Sequence, residues 1–178
     1  MKLTCTTPEN VLIVNCIEGD RKSQKELYGL FASKMFAVCF RYTKSQMDAE
    51  DILQEGFVKL FNNLHKFRGE GSFEGWVRRI FVNTAIEQIR KKNLNTTVGE
   101  GIENSVIDKE QNGLHNLYEK DILLSANILS SGYKTVFRLY AVEGYSHKEI
   151  ATQLGITEST SKSQFSRAKA ILRSSLQR

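Results

Sequence analysis

The residues best suited to chemistry lie near the C-terminus, between Ser146 and Arg173. From Glu158 onward the apolar positions are few: Phe165, Ala168, Ile171 and Leu172. The other face of the same stretch shows Ser159, Lys162, Ser163, Gln164, Ser166, Arg167 and Lys169. Hydroxyls, an amide and cations at helical spacing suit phosphates and the base edges of a DNA major groove. The same pattern also describes an amphipathic surface helix with a solvated basic face. What precedes it favours the first reading. Ser146 and Glu149 have the S-x-x-E spacing of a capping box, so a helix is expected to begin at His147. Ile150, Ala151 and Leu154 give that helix one apolar face. Gly155 ends it, because glycine enters the left-handed conformation without steric cost. Ile156 falls in the turn and Thr157 caps the next helix. Two short helices around a tight Gly turn, the second basic, form a helix-turn-helix.

A second group of reactive side chains, Asp48, Glu50, Asp51 and Glu55, opens an earlier helix. Acidic residues belong in a first turn, where the helix dipole favours them. With Asp48 as its cap, that helix has Leu53, Phe57, Leu60, Phe61 and Leu64 as its apolar stripe, while Asp51, Gln54, Glu55 and Val58 lie on another face. Upstream, residues 9–18 form a first helix closed by Gly19. Asp20 caps a second helix that runs to about Tyr42 and buries Leu27, Leu30, Phe31, Met35 and Val38. Downstream, a loop over His65–Ser72 leads into a long helix, Phe73–Lys92, with Trp76, Ile80, Ala85 and Ile89 facing inward. Its polar and basic positions include Arg78, Arg79, Asn83, Gln88 and Arg90 to Lys92. Residues 93–113 lose helical periodicity. Helices resume over Leu114–Leu129 and Tyr133–Val142, and Gly144 precedes the helix-turn-helix.

These 178 residues with a single proline and no long alternating runs predict an all-α protein of two small helical domains joined by a flexible linker. The net charge of +5 is unevenly placed: residues 1–92 carry +4, residues 93–113 carry −3 and residues 114–178 carry +4. Two basic blocks around an acidic bridge are compatible with a polyanionic partner. Cys5, Cys16 and Cys39 make no C-x-x-C pair, and His65, His115 and His147 are scattered, so neither a metal site nor a cofactor is expected. A reducing cytoplasmic setting follows from the same cysteine usage. The apolar run Val11–Val14 is too short to insert in a membrane.

The segment DAEDILQEGFVKLF (Asp48–Phe61), followed by HKFRGEGSFEGWVRRIFVNTAIEQIRKK (His65–Lys92), resembles the promoter-opening domain of bacterial RNA polymerase sigma factors. LSSGYKTVFRLYAVEGYSHKEIATQLGITESTSKSQFSRAKAIL (Leu129–Leu172) resembles their second DNA-binding domain. Two such blocks in this order, with a short linker, resemble the extracytoplasmic-function (ECF) group of the sigma-70 family. The resemblance implies three parts: residues 1–92 as sigma domain 2, 93–113 as an acidic linker and 114–178 as sigma domain 4.

It also implies roles. Asp51, Ile52, Gln54, Glu55 and Gly56 match the segment that docks on a coiled coil of the polymerase β′ subunit. Asp51, Gln54 and Glu55 share a helix face and can meet a partner's arginines. Phe67 and Asn83 fall where an unstacked base of the −10 element is trapped, Arg78 and Arg79 where the DNA backbone is held, and Trp76 at an aromatic position. Val77 stands where housekeeping sigma factors carry a second Trp, which implies weaker unassisted melting and stricter promoter choice. Lys162, Ser163, Gln164, Ser166 and Arg167 match positions that read the −35 element, and His147 and Lys148 lie near a phosphate contact. The chain departs from the pattern at Ser130, where many relatives have Pro, at Ser161, where an apolar residue is common, and at Gln164, where Arg is common. Gln suits adenine edges better than guanine, so the resemblance does not carry over the exact −35 sequence. Glu100, Glu103, Asp108 and Glu110 give the linker the charge to repel or mimic nucleic acid inside the polymerase.

The expected partners are thus core RNA polymerase, through its β′ and β subunits, and promoter DNA, with an anti-sigma factor as a further partner by family analogy. No catalytic residues are expected, because no nucleophile–base pair or phosphate-cradling Gly loop is present. Two other functions remain open from the residues. An independent helix-turn-helix regulator accounts for the C-terminus and leaves the first 92 residues idle. A nuclease-like enzyme would use Asp48, Glu50, Asp51 and Glu55 as metal ligands.

Overall fold

The computed structural model describes residues 7–43, 45–95 and 128–176. The described residues contain seven α-helices and no strands. The chain divides into two units, Met1–Thr97 and Val98–Arg178.

In the first unit, α1 (Pro8–Ile17) starts on a Thr7 cap, with Pro8 in the first turn, where a missing N–H costs nothing. Gly19 turns the chain at φ +88. The cap of α2 (Arg21–Phe40) is Asp20, whose Oδ2 accepts from the Ser23 backbone N–H at 2.8 Å and from its hydroxyl at 2.6 Å. The buried face of α2 holds Leu27, Phe31, Met35, Val38 and Cys39. Leu30, expected among them, is instead 56 % exposed. At 100° per residue it lies about a third of a turn from the centre of that stripe.

Helix α3 (Gln46–Asn63) begins one turn earlier than expected, because Ser45 is its cap and Asp48 sits inside the first turn. The Ser45 hydroxyl accepts from the Asp48 backbone N–H at 3.1 Å. A 3₁₀ turn (Leu64–Lys66) and a loop then lead to α4 (Phe73–Asn95). Helix α4 packs against both α2 and α3, so its buried front is broad. Phe73, Val77, Phe81, Val82, Thr84, Ala85 and Ile86 are buried. Of the four residues expected inward only Ala85 is fully buried, while Trp76, Ile80 and Ile89 are half-buried on the flanks.

One contact fixes the distance between α3 and α4. A β-carbon at Gly56 would clash with the edge of the Phe81 ring. Phe81 in turn meets Phe57 edge-on, with centroids 5.1 Å apart, and Phe57 meets Tyr28 at 4.4 Å. Two exposed ion pairs bridge onto α4, Lys34 to Glu74 at 2.8 Å and Lys59 to Glu87 at 2.7 Å. Pairs this exposed contribute at most about 1 kcal/mol each. Cys16 and Cys39 are free and buried. Burial, helped by Asp20, pushes the Cys16 thiol up to about 11, and burial pushes Cys39 up to about 12. Both thiols are therefore neutral and weakly nucleophilic at ordinary pH.

In the second unit, α5 (Ser131–Phe137) continues into a π-helical turn (Arg138–Val142), so the helix expected over Tyr133–Val142 changes its winding half-way. Helices α6 (His147–Leu154) and α7 (Glu158–Leu176) follow. Ser146 and Glu149 make the full capping box. Gly155 is left-handed at φ 67, and the Thr157 hydroxyl accepts from the Thr160 backbone N–H at 3.1 Å. Leu129, Phe137, Ala168 and Leu172 form a buried cluster, with Tyr133 and Phe165 packed against it. Ile171 lies on the edge at 36 % exposure. The acidic stretch with Glu100, Glu103, Asp108 and Glu110 lies outside the described residues, as does all of the expected helix 114–129 except Ile128 and Leu129.

Gly56→Ala is expected to destabilise the first unit by about 1–3 kcal/mol, the usual cost of overpacking. Denaturant unfolding followed by circular dichroism measures this. Wild-type stability in the variant would mean that Phe81 moves aside freely.

Candidate nucleic-acid interface

Helix α7 exposes Ser159, Lys162, Ser163, Ser166 and Arg167. The last four follow at i, i+1, i+4 and i+5, so they form one face. Lys162 Nζ reaches Glu158 Oε1 at 2.7 Å, and this pair holds the Glu158 carboxyl below the usual carboxylate range. Both side chains remain well exposed, so the pair opens easily to another anion. The Ser163 hydroxyl donates to the Thr160 carbonyl at 2.9 Å. Arg167 Nη1 donates to the Tyr133 hydroxyl at 3.3 Å, which steadies the guanidinium and leaves further donors for a phosphate or base. Gln164 is half-buried beside Gly132 of α5, and Lys148 is exposed on α6.

His147 differs from the surface residue expected there. It is half-buried, stacked on Tyr140 with centroids 4.3 Å apart and against Phe165 at 5.7 Å. Its Nδ1 lies 2.9 Å from Ser161 Oγ. Ser161 is fully buried, and the one hint of the pair in the sequence is a polar residue at an apolar position.

On the first unit, Trp76, Arg79 and Asn83 follow at i, i+3 and i+7 of α4 and share a face; Arg78 points away from it. Arg79 is exposed, and Trp76, Arg78 and Asn83 are half-buried. The expected base-stacking role of Phe67 is corrected by its burial at 6 % exposure. Its ring packs on Phe73 at 5.0 Å and on Trp76 at 5.4 Å, so its faces are used inside the fold. Trp76 is the aromatic on that helix face that retains exposed surface.

Helix α3 presents a third set. Asp51 and Gln54 are exposed, flanked by Met47 at 73 % and Val58 at 56 % exposure. Positions 47, 51, 54 and 58 run along one stripe. Met47 was missed in the sequence because it precedes the expected cap. Ile52 is corrected: at 3 % exposure it is a core residue and offers no surface to a partner. Glu55 is half-buried and occupied. Lys59 lies 2.8 Å from Oε1, and Gln88 Nε2 donates to Oε2 at 2.6 Å. The Lys59 hydrogen bond, with that of Gln88, holds its carboxyl below the usual range. The acids near this helix start do not gather around a common point. Gln46 donates to Glu50 at 2.8 Å, and among the described residues no three His, Cys, Asp or Glu side chains are grouped to hold a metal.

The family profile of sigma-70 region 2 matches residues 27–94, and that of sigma-70 region 4 matches residues 120–172. The chain belongs to the ECF group of the sigma-70 family. This sigma factor is 28 % identical to the ECF RNA polymerase sigma-E factor of Haemophilus influenzae over 95 % of both chains. It is also 28 % identical to the ECF RNA polymerase sigma factor SigW of Bacillus subtilis, covering 89 % of this chain and 91 % of that one. Among solved structures it is similar to the sigma factor RpoE of Bartonella quintana, crystallised with the anti-sigma factor NepR. The TM-score is 0.53 at 25 % identity, covering 86 % of this chain and 96 % of that one. The region 2 match contains the α3 stripe and the Trp76 face, and the region 4 match contains His147 and the basic face of α7.

Arg167→Ala in this sigma factor is expected to weaken promoter binding by about 1–3 kcal/mol, as for one specific base or phosphate contact. Promoter occupancy by the assembled polymerase, measured by fluorescence anisotropy, checks this. Unchanged occupancy would remove Arg167 from the interface.

Proposed function

We propose that this sigma factor docks on core RNA polymerase through the α3 stripe, opens and reads the −10 element with the Trp76 face of α4, and reads the −35 element with α7. It is an RNA-polymerase-binding, promoter-specific transcription initiation factor. Residues 1–92 then form the docking and melting domain, 93–113 the linker and 114–178 the −35 domain. The observation that carries the reading is the pairing of order and exposure. Region 2 and region 4 follow each other along one chain, and each retains an exposed face of the chemistry its task needs.

The division of labour follows from that chemistry. Asp51 and Gln54, with Met47 and Val58 around them, offer a carboxylate and an amide inside an apolar rim. Such a surface fits arginines on a polymerase helix, with the β′ coiled coil as the proposed partner. Glu55 keeps the face in shape by tying α3 to α4 rather than by direct contact. On α4, a half-exposed Trp beside Arg79 and Asn83 can stack a flipped base, fix the backbone and hydrogen-bond a base edge. Stacking of this kind is worth about 1–3 kcal/mol per base, enough to bias local opening but not to melt a promoter alone. The −35 contacts of α7 supply the remaining affinity. Nucleotide addition belongs to the core polymerase, so this chain carries no step of bond making. Its DNA target sets the cytoplasm as its place of action. An anti-sigma factor, as bound to the Bartonella relative, is a further partner class.

The test is assembly with core polymerase. Asp51→Arg is expected to abolish the complex in gel filtration while the circular-dichroism spectrum stays that of wild type, because Asp51 is exposed. Glu55→Ala should instead lower thermal stability with a smaller effect on assembly. Wild-type assembly by Asp51→Arg would contradict the docking face.

A further inference from the structure

The helix-turn-helix contains one buried polar contact that none of these surfaces uses. Ser161, on the inner side of α7, is fully buried, and its hydroxyl lies 2.9 Å from His147 Nδ1 at the start of α6. The imidazole also packs against two rings that touch each other. Tyr140 of the π-helical turn stacks on it at 15° between planes, and Phe165 of α7 meets it at 61°. Three elements thus fix one half-buried ring. A serine hydroxyl both donates and accepts. Beside a neutral ring it can donate to Nδ1, the arrangement that puts the ring proton on Nε2. Beside a protonated ring it accepts from Nδ1–H. In both of these states Nε2–H is left to donate to a further acceptor.

We propose that Ser161 is a positioning residue that presents His147 Nε2–H to a DNA phosphate beside Lys148, so that promoter binding gains a further contact charge when the ring is protonated. This rests on the proposed placement of α6 and α7 on promoter DNA. The charged and titratable groups around the ring are few. Glu158 of α7 favours the cation, though Lys162 already pairs with it. Lys148, the next residue of α6, opposes it. Tyr140 stacks on the ring, and Lys169 lies 5.1 Å from the Phe165 centroid. A phosphate at Nε2 favours the charged form of the ring, as any anion beside an imidazole does. Histidine as a residue type changes charge between about pH 5 and pH 8, so pH 6 and pH 8 bracket the comparison.

The experiment uses full-length protein assembled with core RNA polymerase and a promoter fragment that this holoenzyme transcribes in run-off assays. Promoter affinity is measured against salt at pH 6 and pH 8. One extra phosphate contact steepens the slope of log K against log salt by about 0.9. The wild type is expected to show that extra steepness at pH 6, and His147→Gln to lack it. Titration elsewhere in the polymerase cancels in the comparison. Ser161→Ala should lose most of the pH difference and Ser161→Thr should regain it, whereas a purely structural role would weaken binding equally at both pH values. Nitrogen NMR of the free protein at pH 8 gives an independent reading: the proton is expected on Nε2, and a proton on Nδ1 would overturn the proposal. Lys162→Ala separates the two claims. If it flattens the salt slope while His147→Gln keeps the wild-type pH difference, α7 stands on DNA and the His147 role falls. If neither variant changes anything, both fall.

Discussion

Everything in the first unit depends on how closely α3 approaches α4. Gly56 has no side chain where one would clash with the edge of the Phe81 ring, so two helix backbones meet across a single aromatic. Phe57, Phe81 and Tyr28 extend that contact into a chain of rings. A close-packed interior transmits position, since it has no slack to absorb movement. The outer face of α3, with Asp51 and Gln54, and the Trp76 face of α4 are therefore held at a fixed separation. On the proposed function, with α3 on polymerase and α4 on a DNA strand, that rigidity matters more than strong individual contacts.

The second unit meets the same requirement with different parts. Its helix-turn-helix is small, and the angle between α6 and α7 rests on a left-handed glycine, a capping box and a few buried side chains. The stack of Tyr140, His147 and Phe165, with Ser161 beneath it, adds a polar cross-link where an apolar contact alone would serve the fold. The surfaces themselves are individually weak. Lys162 is paired with Glu158 and Arg167 with Tyr133, each through one exposed contact within the unit.

The caps could be read in the sequence because they are local. Asp20, Ser146 with Glu149, Gly155 and Thr157 each act within three or four residues, and all were found where expected. Ser45 was passed over for Asp48 because an acid three residues into a helix looks like a cap when the serine before it is ignored. Burial was harder to read. Helix α4 packs against two neighbours, so its buried front exceeds one stripe, and Val77, Phe81, Val82 and Ile86 could not be ranked by periodicity. Motif matching placed Ile52 and Phe67 at interfaces, yet a residue within a docking motif can serve by packing inward. The His147–Ser161 pair spans fourteen residues and two helices, beyond any local rule.

The most direct measurement is run-off transcription on fragmented genomic DNA, with purified core polymerase in the presence and absence of this protein. The account predicts discrete new start sites that appear only when the protein is added, preceded by a shared pair of −10 and −35 sequences. Absence of new starts with a polymerase that binds the chain, alongside site-specific DNA binding by the chain alone, would contradict it.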